Sequence, residues 1–161
     1  VHVYAVERKP EAVELLRKNR EHFHMDNMEI IEALAPEGLE ELPVPTHAFI
    51  GGSGGRLMDI LQTLYRKNPH MRIVINAISM ETIAELQEVL EAFPVEDEEI
   101  LQMQVNRVKK LGSYHLPQAE NPVWICSFTF REGETGSMNK VKKALLTEEE
   151  NGNRKNGEVQ R

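Results

Sequence analysis

The residues with the clearest chemical potential form a glycine-rich cluster, Gly51-Gly52-Ser53-Gly54-Gly55. The cluster follows the apolar stretch Ala48–Ile50 and precedes residues whose apolar side chains repeat at helical spacing. Glycine permits positive φ and a close approach of the backbone to a ligand. Ser53 can cap the following helix, whose first N–H groups then face an anion. At the carboxyl end of a strand, such a turn is a place where a ligand can bind. Taken alone, a glycine cluster of this kind favours a tight turn without a ligand, and the choice depends on the rest of the chain.

An acidic residue, Glu7, ends the first apolar stretch of the chain, Val1–Val6. At the end of a strand in a doubly wound sheet, such a carboxylate accepts hydrogen bonds from the two hydroxyls of a ribose. The alternative is an exposed acid that the dipole of the next helix favours, since Pro10 suits the first turn of a helix.

No cluster of residues predicts a metal site or an activated nucleophile. His22 and His24 are two positions apart and therefore lie on different faces of a helix. Cys126, the one cysteine, lies in an apolar stretch where nothing activates a thiolate. The catalytic residues are therefore unassigned, and no metal is expected.

The composition fits one soluble domain. The 161 residues, of which 40% are hydrophobic, are enough for a single core. The formal net charge of −7 argues against a nucleic-acid-binding protein, which would carry a basic surface. No apolar run is long enough to span a membrane, so no membrane partner is expected. A single cysteine, which has no partner for an internal disulfide, favours the reducing cytoplasm.

Hydrophobic periodicity predicts strands that alternate with helices, an order typical of an α/β fold with a parallel sheet. Helices are predicted to begin at Pro10, after the glycine cluster, and at Met80 with Ser79 as the N-cap. The first helix is predicted to bury a face that includes Leu15 and Phe23. The last two strands are predicted to form an antiparallel hairpin. The predicted strands are Val1–Val6, Met28–Glu32, Ala48–Ile50, Met71–Ile78, Glu98–Val108 and Asn121–Phe130.

Four stretches make the chain resemble one family. They are VYAVERKPEAVELLRKN, EALAPEGLEELPVPTHAFIGGSGGRLMDIL, RIVINAISMETIAEL and VNRVKKLGSYHLPQAENPVWICSF, in order from Val1 to about Phe130. The phrases FIGGSGG, LGSY and ENPVWICS are more specific than a glycine cluster alone. On these residues the chain resembles the decarboxylating precorrin-6Y methyltransferases of cobalamin biosynthesis, a family of class I S-adenosyl-L-methionine-dependent methyltransferases.

The resemblance implies a Rossmann-like, doubly wound, mostly parallel sheet with a C-terminal antiparallel hairpin. It implies that a methyl group passes from S-adenosyl-L-methionine to a ring carbon of a tetrapyrrole (a precorrin), and that an acetate side chain loses carbon dioxide. Carried over to this chain, Glu7 would bind the ribose hydroxyls and Arg8 would lie near the adenosine. Ala33 and Leu34 would flank the adenine, and Gly51 would approach the methionine portion.

For the substrate, the resemblance implies a molecule with many carboxylates. The N–H groups around Gly52, Ser53 and Gly54 are candidates to hold one carboxylate. Arg107, with its neighbours Lys109 and Lys110, is a candidate to hold another, although such basic runs are usually solvated. Tyr114 and Asn76 are candidate substrate contacts; Asn76 can instead satisfy backbone groups at a strand end. The ring carbon is itself nucleophilic, so no protein nucleophile is required.

The family begins with a further strand and a glycine-rich loop, which the resemblance places upstream of Val1. Residues 1–131 are therefore expected to form an N-terminally incomplete methyltransferase domain, and residues 132–161 a charged flexible tail with a short helix at 140–149. The expected partners are a second copy of the chain and a fused or separate second methyltransferase domain. Two alternatives remain, a class I methyltransferase for another small molecule and a non-catalytic methyltransferase-like subunit.

Overall fold

A computed structural model describes residues 1–133. The short helix predicted at 140–149 and the tail beyond residue 133 lie outside the described residues. None of the helices within 1–133 is long and apolar enough to cross a membrane. The elements are β1 (Val3–Glu7), α1 (Pro10–His22), β2 (Met28–Glu32), β3 (His47–Ile50), α2 (Leu57–Lys67), β4 (Arg72–Ala77), α3 (Met80–Ala92), β5 (Val95–Met103), β6 (Asn106–Leu111), β7 (Tyr114–Ala119) and β8 (Val123–Phe130).

The first three elements form a small unit of their own. Strands β1 and β2 pair in parallel, with Val3 opposite Met28 and Glu7 opposite Glu32, and α1 packs against both strands. The predicted buried face of α1 is wrong in part, because Leu15 and Phe23 are 58% and 64% exposed. The reason is the narrow two-stranded sheet, which covers little more than Val13.

The main core lies between a four-stranded sheet and helices α2 and α3. The sheet has the order β3-β4-β8-β5, in which β3 and β4 are parallel and β8 is antiparallel to both neighbours. Alternate side chains of β4 are buried, as expected of a strand with one face on a core. The core cluster is built from Ile50, Leu57, Ile60, Leu61, Leu64, Met71, Ile73, Ile75, Leu86, Val89, Ala92, Phe93, Cys126, Phe128 and Phe130.

The mixed α/β class predicted from the sequence is confirmed, but the sheet arrangement differs from the single doubly wound sheet expected. The described residues form three sheets, of two, four and two strands. Helices α2 and α3 share one face of the four-stranded sheet, and Phe49 on the other face is 67% exposed. Strands β1 and β3 each have an edge without a hydrogen-bonded partner among residues 1–133. The family resemblance places a further strand upstream of Val1 and between these two strands, and that strand stays a prediction.

The prediction of one strand over Glu98–Val108 is wrong. Strand β5 ends at Met103, and a separate hairpin of β6 and β7 occupies 106–119 before β8 returns to the sheet. Every residue of the hairpin is exposed, so its sequence has no buried alternation that would have marked two further strands. The antiparallel pair predicted for the chain's end exists as β5 and β8, with the hairpin inserted between them.

The two helix starts near the predicted site differ in how they are capped. At α3 the predicted N-cap is confirmed, because Ser79 Oγ accepts a hydrogen bond from the Thr82 N–H at 3.2 Å. At α2 the predicted cap is wrong, because the helix begins at Leu57 with Arg56 as its N-cap. Gly54 and Gly55 have φ values of +61° and +80°, which are not helical, so the turn continues past Ser53.

Candidate functional site

The carboxyl ends of β1 and β2 bring together three of the predicted site residues. Because the strands are parallel and in register, Glu7 and Glu32 end at the same edge. The backbone N–H of Ala33 then donates to the Glu7 carbonyl oxygen at 3.0 Å. Leu34 follows with its side chain 38% exposed. The acid and the two apolar side chains predicted to flank an adenine therefore lie at one strand edge.

The carboxylate of Glu7 is oriented by the backbone that follows it. Its Oε1 accepts hydrogen bonds from the N–H groups of Arg8 at 2.9 Å and Lys9 at 2.8 Å. Its Oε2 accepts none from the described residues. Glu7 is half-buried, whereas Arg8 is exposed. The arrangement fixes one oxygen and leaves the other available to a hydroxyl donor, which is the chemistry a ribose needs.

The glycine turn links the end of β3 to α2. Gly51, Gly52 and Gly54 are exposed, and nothing lies within 4 Å of a Cβ built on Gly52 or Gly54. Ser53 is different: it is only 7% exposed, and its Oγ donates to Glu85 Oε2 of α3 at 3.2 Å. The turn therefore offers open backbone to a ligand at its glycines, while the serine hydroxyl is already engaged.

An ion pair joins the glycine turn to the loop that carries Leu34. Arg56 donates from Nη1 to Glu37 Oε2 at 2.7 Å and from Nη2 to Glu37 Oε1 at 2.9 Å. The hydrogen bond from Arg56 lowers the pKa of Glu37, and the same bond raises the pKa of Arg56. Both groups therefore stay charged at neutral pH. The pair was not predicted from the sequence, since the two residues are 19 positions apart.

Asn76 lies at the carboxyl end of β4, next to the strand that leads into the glycine turn. It is half-buried, and its side chain forms no hydrogen bond with the described residues. It is opposite Ile125 on β8. The alternative role for Asn76, in which its amide satisfies a backbone group at the strand end, is therefore not seen among residues 1–133.

Arg107 and Tyr114 lie on the β6–β7 hairpin, apart from the other predicted residues. Arg107 is the second residue of β6, and its Nε donates to Glu120 Oε1 at 2.9 Å. Tyr114 begins β7 and is 71% exposed. The hairpin makes no extensive contact with another helix or strand of residues 1–133. The structure thus does not bring these two residues to the strand edges within one described chain.

Comparison with known proteins identifies the family. The family described as "Precorrin methyltransferase domain" matches residues 1–129. The chain belongs to that family. A probable cobalt-precorrin-6B C(15)-methyltransferase (decarboxylating) of Methanothermobacter thermautotrophicus is 36% identical over 123 residues, which are 75% of this chain and 64% of the relative. The Sulfolobus acidocaldarius relative of the same name is 37% identical over 125 residues, with coverage of 76% and 64%. The chain thus spans less than two thirds of these relatives.

Solved structures agree with the family assignment. The precorrin-6Y C5,15-methyltransferase of Geobacter metallireducens superposes with a TM-score of 0.71 at 35% identity, covering 80% of this chain and 68% of that protein. A SAM-dependent O-methyltransferase of Thermotoga maritima has a TM-score of 0.63 at 13% identity, with coverage of 83% and 51%. That likeness shows the fold alone. The precorrin methyltransferase domain therefore matches the Rossmann-like fold that the family resemblance implied, with its described strands divided among three sheets.

The cysteine of this precorrin methyltransferase domain is not built for nucleophilic chemistry. Cys126 lies on β8 with no exposed surface, and it is a free thiol. Burial raises the pKa of Cys126 to about 11, with a further contribution from the nearby Glu98 carboxylate. The sequence-based prediction that nothing activates this thiolate is confirmed.

Cys126 should react with a thiol reagent only after the domain unfolds. With a pKa of about 11, roughly a thousandth of the thiol is ionised at pH 8, and the side chain is inaccessible. We expect iodoacetamide at pH 8 to modify the native chain negligibly and the chain in concentrated urea completely, as measured by intact mass. Fast modification of the native chain would contradict the burial of Cys126 within the core.

Proposed function

We propose that this domain transfers a methyl group from S-adenosyl-L-methionine to C15 of a cobalt-precorrin and that an acetate side chain of the same substrate loses carbon dioxide. The names of the relatives at 36% and 37% identity support the substrate, the position and the decarboxylation. The observation that carries the proposal within the fold is Glu7, whose Oε2 accepts no hydrogen bond from the described residues and whose carbonyl oxygen accepts one from Ala33 at the edge where such sheets bind ligands. The setting we propose is the cytoplasm.

The methyl donor would lie across the carboxyl ends of β1, β2 and β3. Glu7 would accept hydrogen bonds from the ribose hydroxyls, and Arg8 would lie near the adenosine. Ala33 and the part-exposed Leu34 would flank the adenine. Gly51 would lie against the methionine portion, where a side chain larger than hydrogen would crowd Phe49, since a Cβ would come within 3.3 Å of its ring.

The substrate would bind on the glycine side of the same edge. The backbone N–H groups of Gly52, Ser53 and Gly54 would hold a carboxylate, and Asn76 would orient the substrate with its unpaired amide. Arg107 and Tyr114 would contact further substituents. The Geobacter protein's name includes a second position, C5, and we assign that reaction to a second methyltransferase domain, fused or separate.

The chemistry requires little of the protein beyond positioning. S-adenosyl-L-methionine supplies an electrophilic methyl group, and the ring carbon supplies the electron pair. Asn76 and the glycine turn would hold that carbon in line with the methyl group, and alignment of this kind is a large part of catalysis in bimolecular transfers. The same contacts would orient the acetate so that the electrons of its breaking C–C bond enter the ring system as carbon dioxide leaves, and a proton from water would then complete the methyl group that remains.

Replacement of Glu7 by Ala should weaken donor binding. A hydrogen bond to a charged group contributes roughly 1.5–3 kcal/mol, so we expect the dissociation constant for S-adenosylhomocysteine to rise at least about tenfold. Isothermal titration calorimetry measures the change. Glu32→Ala is the matched control, because Glu32 ends β2 in register with Glu7 and is exposed. Equal weakening by both variants would contradict the proposed role of Glu7.

Turnover separates the proposed reaction from its alternatives. Incubation of the full chain with S-adenosyl-L-methionine and cobalt-precorrin-6B should release one carbon dioxide for each methyl group transferred, as followed by mass spectrometry of the tetrapyrrole. Donor binding without any turnover of this substrate would favour a methyltransferase for another small molecule. Absence of donor binding by the folded chain would favour a non-catalytic subunit.

We propose further that the domain is a homo-oligomer and that the β6–β7 hairpin is the contact surface. An isolated two-stranded hairpin is at best marginally stable in water, and this hairpin presents several apolar side chains to solvent. Val108, Leu111 and Leu116 are 65%, 67% and 48% exposed. A second copy, with the same apolar residues, would cover them.

Leu111→Asp should shift the domain toward monomer, because an ionised carboxylate cannot be buried unpaired in an apolar contact. Light scattering after size-exclusion chromatography measures the mass. Val44→Asp is the control, since Val44 is equally exposed at 67% but lies outside the hairpin. An unchanged mass in the Leu111 variant, or a monomeric parent chain, would overturn the hairpin contact.

A further inference from the structure

The two walls of the proposed donor site belong to separate sheets. Glu7 and Ala33 lie at the edge of the β1–β2 pair, whereas Gly51 lies at the edge of the four-stranded sheet. No hydrogen bond of a strand ladder joins the two sheets within residues 1–133. The segment between β2 and β3 makes the connection instead, because Ala35 and Leu39 pack against the core of the larger sheet.

The Arg56–Glu37 pair joins these walls beside the site. Arg56 comes directly after the glycine turn, and Glu37 comes three residues after Leu34. Both guanidinium nitrogens bind the carboxylate, a bidentate geometry that fixes orientation as well as distance. Gly38, next to Glu37, packs closely against Ala33 on the adenine side of the site: a Cβ built on Gly38 would be 3.0 Å from the Ala33 Cβ. The position of Glu37 is therefore coupled to that of Ala33.

We propose that the Arg56–Glu37 ion pair is a positioning device that raises the affinity of the donor site by holding its adenine wall against the glycine turn. The inference rests on the proposed donor site. A donor that contacts both walls must order them relative to one another, and a link formed in advance reduces that cost. Since the pair is on the surface, its effect is modest: an exposed ion pair corresponds to roughly a two- to fivefold change in affinity.

The same loop and helix are tied at a second place, which supplies a matched control. Arg66 Nη2 donates to Glu40 Oε1 at 2.8 Å, and Lys67 Nζ donates to the Glu40 carbonyl oxygen at 2.7 Å. Arg66 and Lys67 end α2, at the opposite end from the glycine turn. If the pairs only stabilised the fold, the two acids would be equivalent in their effect on ligand binding.

The test compares Glu37→Ala with Glu40→Ala in the full chain, with S-adenosylhomocysteine as the probe. We expect Glu37→Ala to raise the dissociation constant roughly two- to fivefold at an unchanged melting temperature. Glu40→Ala should leave the affinity as it was. The charge-reversed double variant, Glu37→Arg with Arg56→Glu, should recover part of the affinity that Glu37→Ala loses, because it restores an ion pair across the same gap. Recovery is expected to be incomplete, since the new carboxylate at position 56 would face Asp59, whose Oδ2 is 3.8 Å from Arg56 Nε.

The outcomes distinguish this inference from the proposed function. Donor binding that Glu7→Ala weakens at least about tenfold and Glu37→Ala leaves unchanged would overturn the positioning role alone. Two other outcomes would assign the pair a purely structural role and so overturn the positioning role. One is equal weakening by Glu37→Ala and Glu40→Ala. The other is a loss of both affinity and melting temperature that the double variant does not restore. Absence of binding by the parent chain would overturn the donor site and the positioning role together.

Discussion

The structure depends on the burial of alternate side chains along β4. Ile73 and Ile75 are at most 1% exposed, and they are opposite Phe128 and Cys126 on β8. A slip of one residue would turn all of these side chains to the other face of the sheet, so burial fixes the register. The same register places Ile50, the last residue of β3, opposite Ile75. The glycine turn and Asn76 therefore reach a common edge as a consequence of apolar packing.

Much of the fold could be predicted because its patterns are local. Strand β2 has its predicted bounds, α3 has its predicted cap, and β4 alternates as a half-buried strand should. The hairpin could not be predicted in this way. Its residues are exposed on both faces. Pro117 on β7 also argues against a strand, because proline is tolerated mainly in edge strands and the sequence alone does not show that β7 is one.

The same distinction applies to the candidate site: some of its residues can be recognised from the local sequence, and others depend on contacts between distant positions. Glu7 at a strand end and glycines after another strand can be recognised, because parallel strands bring their carboxyl ends to one edge of a sheet. The pairing of Ser53 with Glu85 and of Arg56 with Glu37 spans 32 and 19 positions. Such contacts depend on how helices and loops pack, and no local spacing encodes them. The cap predicted at Ser53 was wrong for this reason: its hydroxyl binds a distant acid instead.

The separation of the two sheets would give a donor bound at the proposed site a structural role of its own. A ligand that contacts both walls favours the arrangement in which they are close, and it can do so only by the difference in its affinity for that arrangement. In the proposed role, the Arg56–Glu37 pair would favour the same arrangement from outside the site. The two effects would then be reciprocal: a stronger pair would strengthen donor binding, and bound donor would strengthen the pair. The ion pair and the bound donor would thus affect one another through a single property, the position of β1–α1–β2 relative to the larger sheet.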